Sequence, residues 1–196
     1  MSSTLNNLAV VYWSQSDYDQ AAEYLRRSLD ISREIGDTYG TAMCYNNLGV
    51  ISYTLGDTDQ AIEAYRRSLE IRQEIGDSLG IADVYTNLGE VYHALEEHRT
   101  ALAHLQRAAD LFRELGNDSA LFDVTKLLAQ VELAQGDLEE ALAFGQRALD
   151  LAHAIGNPEF EGIALRVLGQ AVRADAEPAE ALAHLDPLVQ PLAPLG

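Results

Sequence analysis

Glu74-Ile75-Gly76-Asp77 occurs almost unchanged forty residues earlier as Glu34-Ile35-Gly36-Asp37, and again downstream as Glu114-Leu115-Gly116-Asn117 and Ala154-Ile155-Gly156-Asn157. The rest of the chain keeps the same period. Leu8, Leu48, Leu88, Leu128 and Leu168 align, each followed by a small residue (Ala9, Gly49, Gly89, Ala129, Gly169), and so do Ala21, Ala61, Ala101, Ala141 and Ala181. Self-similarity at a fixed period of this length means one supersecondary unit copied and stacked. Such an architecture offers an extended surface rather than a pocket of convergent catalytic groups.

Each unit reads as two helices. In the second, Tyr45, Leu48, Gly49 and Ser52 fall at i, i+3, i+4 and i+7, and Ile51 and Leu55 widen the stripe. Gly56-Asp57 interrupts the pattern, with Asp57 or Asp59 as the cap of the next helix. That helix carries Ala61, Ile62, Tyr65, Ser68, Leu69, Ile71 and Ile75 on its apolar face. It stops at Gly76, which suits the left-handed residue that closes a helix, with Ile75 as its hydrophobic partner. Asp77 or Ser78 then opens the following unit, and Asn157-Pro158-Glu159 repeats the device as N-cap, first-turn proline and acidic residue. Gly49 and Gly89 on the first helix, and Ala61 and Ala101 on the second, let the two helices of a unit approach closely. On the outward face of the second helix, Glu23/Arg27, Arg26/Asp30, Glu63/Arg67 and Arg66/Glu70 stand at i, i+4. They read as a solvated convex surface.

Leucine followed by Gly or Ala, an aromatic three residues later (Tyr12, Tyr92), alanine opening the second helix and Ser or Ala near its end resemble the tetratricopeptide repeat over nearly the whole chain. The segment Thr4-Leu5-Asn6-Asn7-Leu8-Ala9-Val10-Val11-Tyr12 is similar to kinesin light chain repeats, and the units also resemble those of cell-polarity adaptors and of bacterial regulators. The resemblance implies an all-α, right-handed superhelical solenoid of tandem helix-turn-helix repeats. It forms a single array over 1–196, with units at about 5–44, 45–84, 85–124 and 125–164 and a degenerate 165–196. Because these units exceed the usual length of about 34 residues, an extended turn around Gly-Asp is expected. In the fifth unit Pro187, Pro191 and Pro194 preclude a continuous second helix. Neither end shows a polar capping helix, which suggests a piece of a longer protein or ends that self-associate.

In arrays of this family the first helix of each unit lines the concave groove. The core stripe then turns the following residues into it: Asn6, Val10 and Trp13; Asn46, Val50 and Tyr53; Thr86, Glu90 and His93; Lys126 and Gln130; Arg166 and Arg173. Asparagine amides can pair with the backbone of an extended peptide whatever its sequence, and Trp13 and Tyr53 supply aromatic anchors. The competing reading of the asparagines is that they link neighbouring helices, because half-buried amides need partners too. The groove would run from neutral and aromatic through acidic to basic.

The formal net charge of −18 is spread over all units, −3 to −5 in the first four and −2 in the fifth. A surface acidic throughout repels nucleic-acid phosphate and anionic lipid, so neither is an expected partner. Arginine outnumbers lysine twelve to one, which points to genome composition rather than to a mechanism. The single cysteine, Cys44, stands where other units have Val84, Val124 and Ala164, and reads as a small buried hydrophobe in a reducing, cytoplasmic setting. No signal peptide or membrane span is evident. Glu90, His93, Glu97 and His98 are the one carboxylate–imidazole cluster, but ligands on a single helix face rarely converge on one ion, so no metal or other cofactor is expected. With no phosphate loop, nucleophile elbow or triad spacing present, the sequence supports no enzyme. The expected function is a non-catalytic interaction module that binds an extended peptide or partner segment, as part of a larger bacterial regulator. The alternative is an oligomerisation module stacking through its ends. A peptide-receptor or phosphatase-type regulator is the third reading.

Overall fold

The computed structural model describes residues 2–175, and the degenerate second half of the fifth unit, with Ala181, Pro187, Pro191 and Pro194, lies outside them. The described residues form nine α-helices and no strand: α1 (Ser2–Ser14), α2 (Tyr18–Glu34), α3 (Thr38–Thr54), α4 (Thr58–Ile75), α5 (Ser78–Ala94), α6 (His98–Glu114), α7 (Asp118–Gln135), α8 (Leu138–Ile155) and α9 (Pro158–Asp175). None of them is long and apolar enough to cross a membrane. The helix pairs open at 38, 78 and 118, so the sequence divisions at 45, 85 and 125 fall inside α3, α5 and α7. Two compact units emerge, Met1–Leu111 and Phe112–Gly196, with the division inside α6.

The turns are short, and this corrects the expectation of an extended Gly-Asp turn. The added length lies in the helices, which from α2 onward run 17 or 18 residues. The turns share one backbone conformation, and six of them share one cap as well. Ser16, Gly36, Gly56, Gly76, Glu96, Gly116, Gly136 and Gly156 all take φ between 60° and 89°. Asp17, Asp37, Asp57, Asp77, Asn117 and Asp137 each accept a hydrogen bond from the backbone N–H three residues on, at 2.8–3.3 Å. The left-handed residue closes one helix and the next carboxylate or amide opens the following one, satisfying groups that would otherwise be orphaned. The caps are thus Asp57 and Asp77 rather than Asp59 or Ser78. Leu55 and Ile75, expected on apolar faces, are 56% and 41% exposed, because Leu55 sits just past the end of α3 and Ile75 is the last residue of α4.

In the first unit, α1 packs on α2 and α3 on α4, with α2 against α3 and α4 against α5 between repeats. The odd-numbered helices also touch in succession, α1 to α3 to α5. Ala9, Ala21, Ala22 and Leu25 form a core that Ile51 of the next repeat completes. The close approach expected at the small residues is present: a β-carbon on Gly49 would lie 2.6 Å from the Tyr65 ring, and one on Gly89 2.5 Å from Leu105. In the second unit, Phe122, Ala148, Leu149, Ala152, Ala164 and Leu168 make the core, and the rings of Phe122 and Phe160 stack at 4.4 Å. There α7 packs on α8, α8 on α9, and α7 touches α9.

The arginines have a use that composition did not reveal. Arg27, Arg33, Arg72, Arg107 and Arg147 each lie over an aromatic ring at 5.3–5.9 Å. Arg66 donates to the Tyr92 hydroxyl at 3.2 Å. A planar guanidinium stacks on a ring face as an ammonium cannot, so lysine would not substitute at these places. Arg72 is buried, paired with Asp77 and bonded to Ser68 Oγ at 3.1 Å, and it fills the space that a side chain at Gly80 would need.

Candidate functional site

Two faces of odd-numbered helices carry the residues expected to bind a partner, one in each unit. On the first unit, Val10 and Trp13 of α1 and Val50 of α3 come together around a concavity of about 210 Å³. Ala9, Leu25, Asn47 and Ile51 complete its lining, so the walls hold no charged group. Val10 and Trp13 remain 50% and 42% exposed. Val10 and Val50 share one position of the repeat and Trp13 lies three residues on from it, and the three meet only because α1 and α3 lie side by side.

Asn6 and Asn46 are placed differently from the expectation of free groove amides. Asn6 is only 8% exposed, and its Oδ1 accepts from Asn47 Nδ2 at 2.9 Å. Asn46 Oδ1 accepts from Asn87 Nδ2 at 3.0 Å, and Asn46 Nδ2 reaches Asn47 Oδ1 at 3.5 Å. A line of amides therefore links α1, α3 and α5, which is the alternative the sequence left open. Each of these bonds joins one amide's donor to another's acceptor, so the amides serve as one another's partners.

Across α3 and α5 the face changes character. Tyr53 is half-buried, and its phenol is pushed up by burial and by the nearby Glu90 carboxylate. Tyr65, buried beneath, is raised by burial, then by Glu90 and Tyr53. Glu90 thus stands beside two phenols. The Thr86 hydroxyl is taken up by its own helix, donating to the Ala82 carbonyl at 3.0 Å. The His93 ring lies 5.6 Å from that of His98, and its pKa is lowered by burial and then by His98. The Nδ1 atoms of His93, His98 and His104 are buried without a hydrogen-bond partner among the described residues. His104 stacks on Tyr92 at 5.4 Å and lies 5.7 Å from Tyr85. Among the described residues no group of three or more His, Cys, Asp or Glu is arranged to hold a metal.

On the second unit, Lys126 and Gln130 of α7 are half-buried, and Arg166 and Arg173 of α9 are exposed. Lys126 pairs with Asp123 at 3.1 Å, and Arg173 Nε donates to the Gly169 carbonyl at 3.2 Å. The basic end is therefore weaker than its count of cations suggests. On the outward side, Arg67 bridges Glu63 at 2.9 Å and Glu70 at 3.5 Å, all well exposed. Cys44 is buried as expected. Its thiol donates to Ser28 Oγ at 3.3 Å and burial pushes its pKa up, the reverse of what a nucleophile requires.

A family model described as "Tetratricopeptide repeat" matches residues 1–74, 45–114, 80–152 and 120–186. No curated protein matches the sequence. Solved structures share the fold at low identity. BtubC (BKLC) from P. vanneervenii is 21% identical with a TM-score of 0.83, over 93% of this chain and 76% of that one. A putative kinesin light chain from P. anserina, with nearly identical repeats, is 16% identical with a TM-score of 0.79, over 94% and 91%. Aspartyl phosphate phosphatase F from Bacillus subtilis is 15% identical with a TM-score of 0.79, over 95% of this chain and 50% of that one.

Proposed function

Because this chain belongs to the tetratricopeptide repeat family, we propose that it acts without catalysis, as a module that takes an extended partner segment along the odd-numbered helices of its first unit. The observation that carries this reading is the apolar concavity at Val10, Trp13 and Val50, open to solvent and lined by no charged group. An exposed tryptophan at the rim of an apolar pocket is the arrangement that dominates interface energetics. In this reading Asn6 and Asn46 hold the helices that form the pocket. Tyr53, Thr86, Glu90 and His93 form its flank, while Lys126, Gln130, Arg166 and Arg173 make a separate polar face on the second unit. The acidic surface favours a protein partner over nucleic acid or an anionic membrane. The setting it fits is an interaction segment of a larger cytoplasmic regulator.

The test is selection of peptides from a random dodecapeptide library on the full-length protein, followed by titration of synthetic copies. Trp13→Ala is expected to weaken their binding by about 2 kcal/mol or more. Glu63→Gln with Arg67→Gln is expected to leave it unchanged. Peptides that ignore Trp13 and respond to the outward pair would move the site to the other side of the helices.

One observation favours self-association as a second reading. Val11 is 48% exposed, whereas Ile51, Val91, Val131 and Ala171 at the same repeat position are buried. Ile51 is covered by the preceding helix pair, so α1 presents the face that another repeat would cover. Light scattering should then show concentration-dependent association that Val11→Glu abolishes.

A further inference from the structure

Val10, Val50 and Glu90 occupy one repeat position on three adjacent helices, so this row reads apolar, apolar, acidic. The row one turn earlier, Asn6, Asn46 and Thr86, has its polar groups engaged by neighbouring amides and by the Ala82 carbonyl. The row one turn later, Trp13, Tyr53 and His93, is aromatic, with the His93 pKa lowered by burial and by His98. Glu90 is therefore the one anionic group among these nine positions, and none of them carries a cation. A segment crossing from α1 towards α5 meets an uncharged pocket first and a carboxylate beside two phenols next.

We propose that the partner segment recognised by the first unit pairs an apolar anchor side chain with a lysine or arginine, the anchor entering the Val10–Trp13–Val50 pocket and the cation meeting Glu90. The spacing follows from the helices. Packed neighbours lie about 8–10 Å apart, so the pocket between α1 and α3 is about 14 Å from the axis of α5. An extended chain advances about 3.4 Å per residue, and a lysine or arginine side chain covers part of the remaining distance. The basic residue then falls about two to four positions from the anchor. The net charge of −18 adds long-range attraction for such a segment and repels an acidic one.

This inference rests on the interaction reading above, and the experiment separates the two. Peptides selected on the full-length protein should combine an aliphatic or aromatic residue with Lys or Arg at that spacing. Titrations followed by calorimetry should show about two- to fivefold weaker binding when that cation is replaced by Gln, as a surface ion pair supplies. Glu90→Gln should erase the difference between the two peptides while keeping the apolar requirement, and Glu90→Asp should restore it. In the wild type the preference should shrink as NaCl is raised. Selected peptides without a basic residue, or a lysine preference that survives Glu90→Gln, would overturn the inference, while sensitivity to Trp13→Ala would still uphold the interaction reading. Peptides indifferent to Trp13→Ala would overturn both.

Discussion

The absence of a single methyl group sets the helix spacing in the second repeat. Gly49 sits under the Tyr65 ring, and Tyr65 is enclosed, so it has no room to yield. Gly49→Ala should therefore cost about 1–3 kcal/mol, read as a lower urea midpoint with an unchanged slope. The same methyl is present at Ala129, in the repeat where Gly145 takes the position of Tyr65 and Leu105. The requirement is for a small residue on one side of the contact, and the repeat pattern showed this directly. It could not show which of two adjacent asparagines faces the neighbouring helix. One residue is 100° of helical rotation, and Asn46 and Asn47 both end in amides that bond across helices. Nor could it separate an arginine bound to a glutamate one turn away, as Arg67 is, from one bonded to a tyrosine of the next helix, as Arg66 is. Both patterns look the same at i, i+4, and only the packing chooses.

At the scale of the element, the turns repeat at twenty residues, half the sequence period, and two of them break their own rule. Ser16 and Glu96 adopt the left-handed conformation that glycine occupies at the other six turns. A side chain there costs roughly 1–2 kcal/mol, partly offset by the entropy glycine loses on folding. Glu96→Gly should thus raise stability by about 0.5–1 kcal/mol, and Gly76→Glu should lower it by a similar amount, both measurable by urea unfolding. The helices beside Glu96 also carry a pH response. The His104 pKa is lowered by burial first, then by Arg107 and Arg66, and that of His93 by burial and His98. The unfolded chain takes up protons at about pH 6.5 while the folded one does not. Stability is therefore full above that pH and falls as pH drops from there towards the lowered folded values. Unfolding at pH 5.5 should need less urea than at pH 7.5, and His104→Gln should reduce the difference. Glu132, raised by burial and then by Asp137, works in the opposite sense at more acid pH. The helices themselves were legible because the caps and apolar stripes agree. The turns were not, because glycine and aspartate announce a break without stating its length.

For the molecule as a whole, charge is the property that no single residue carries. The net charge of −18 is distributed over every repeat, and the exposed Arg67 pairs offset little of it. Self-repulsion of this kind opposes compaction and is screened by salt. The melting temperature should rise as NaCl goes from about 10 to 300 mM, by roughly 2–4 °C for each kcal/mol recovered; a fall would mean that the ion pairs outweigh the repulsion. The architecture was legible at this scale from periodicity alone, whereas the pocket at Trp13 required the lateral placement of two helices that no pattern along one strand of sequence encodes. The junctions have one further consequence. Asp77 N–H bonds to the Arg72 carbonyl, Asp77 caps at Gly80, and the neighbouring junctions at Asp37 and Asn117 do the same with their own local partners. Each joint thus carries its folding instructions within about ten residues. An in-frame duplication or loss of forty codons between two such joints restores the same local bonds, so recombination within the gene can lengthen or shorten the array one repeat at a time, leaving each surviving joint intact.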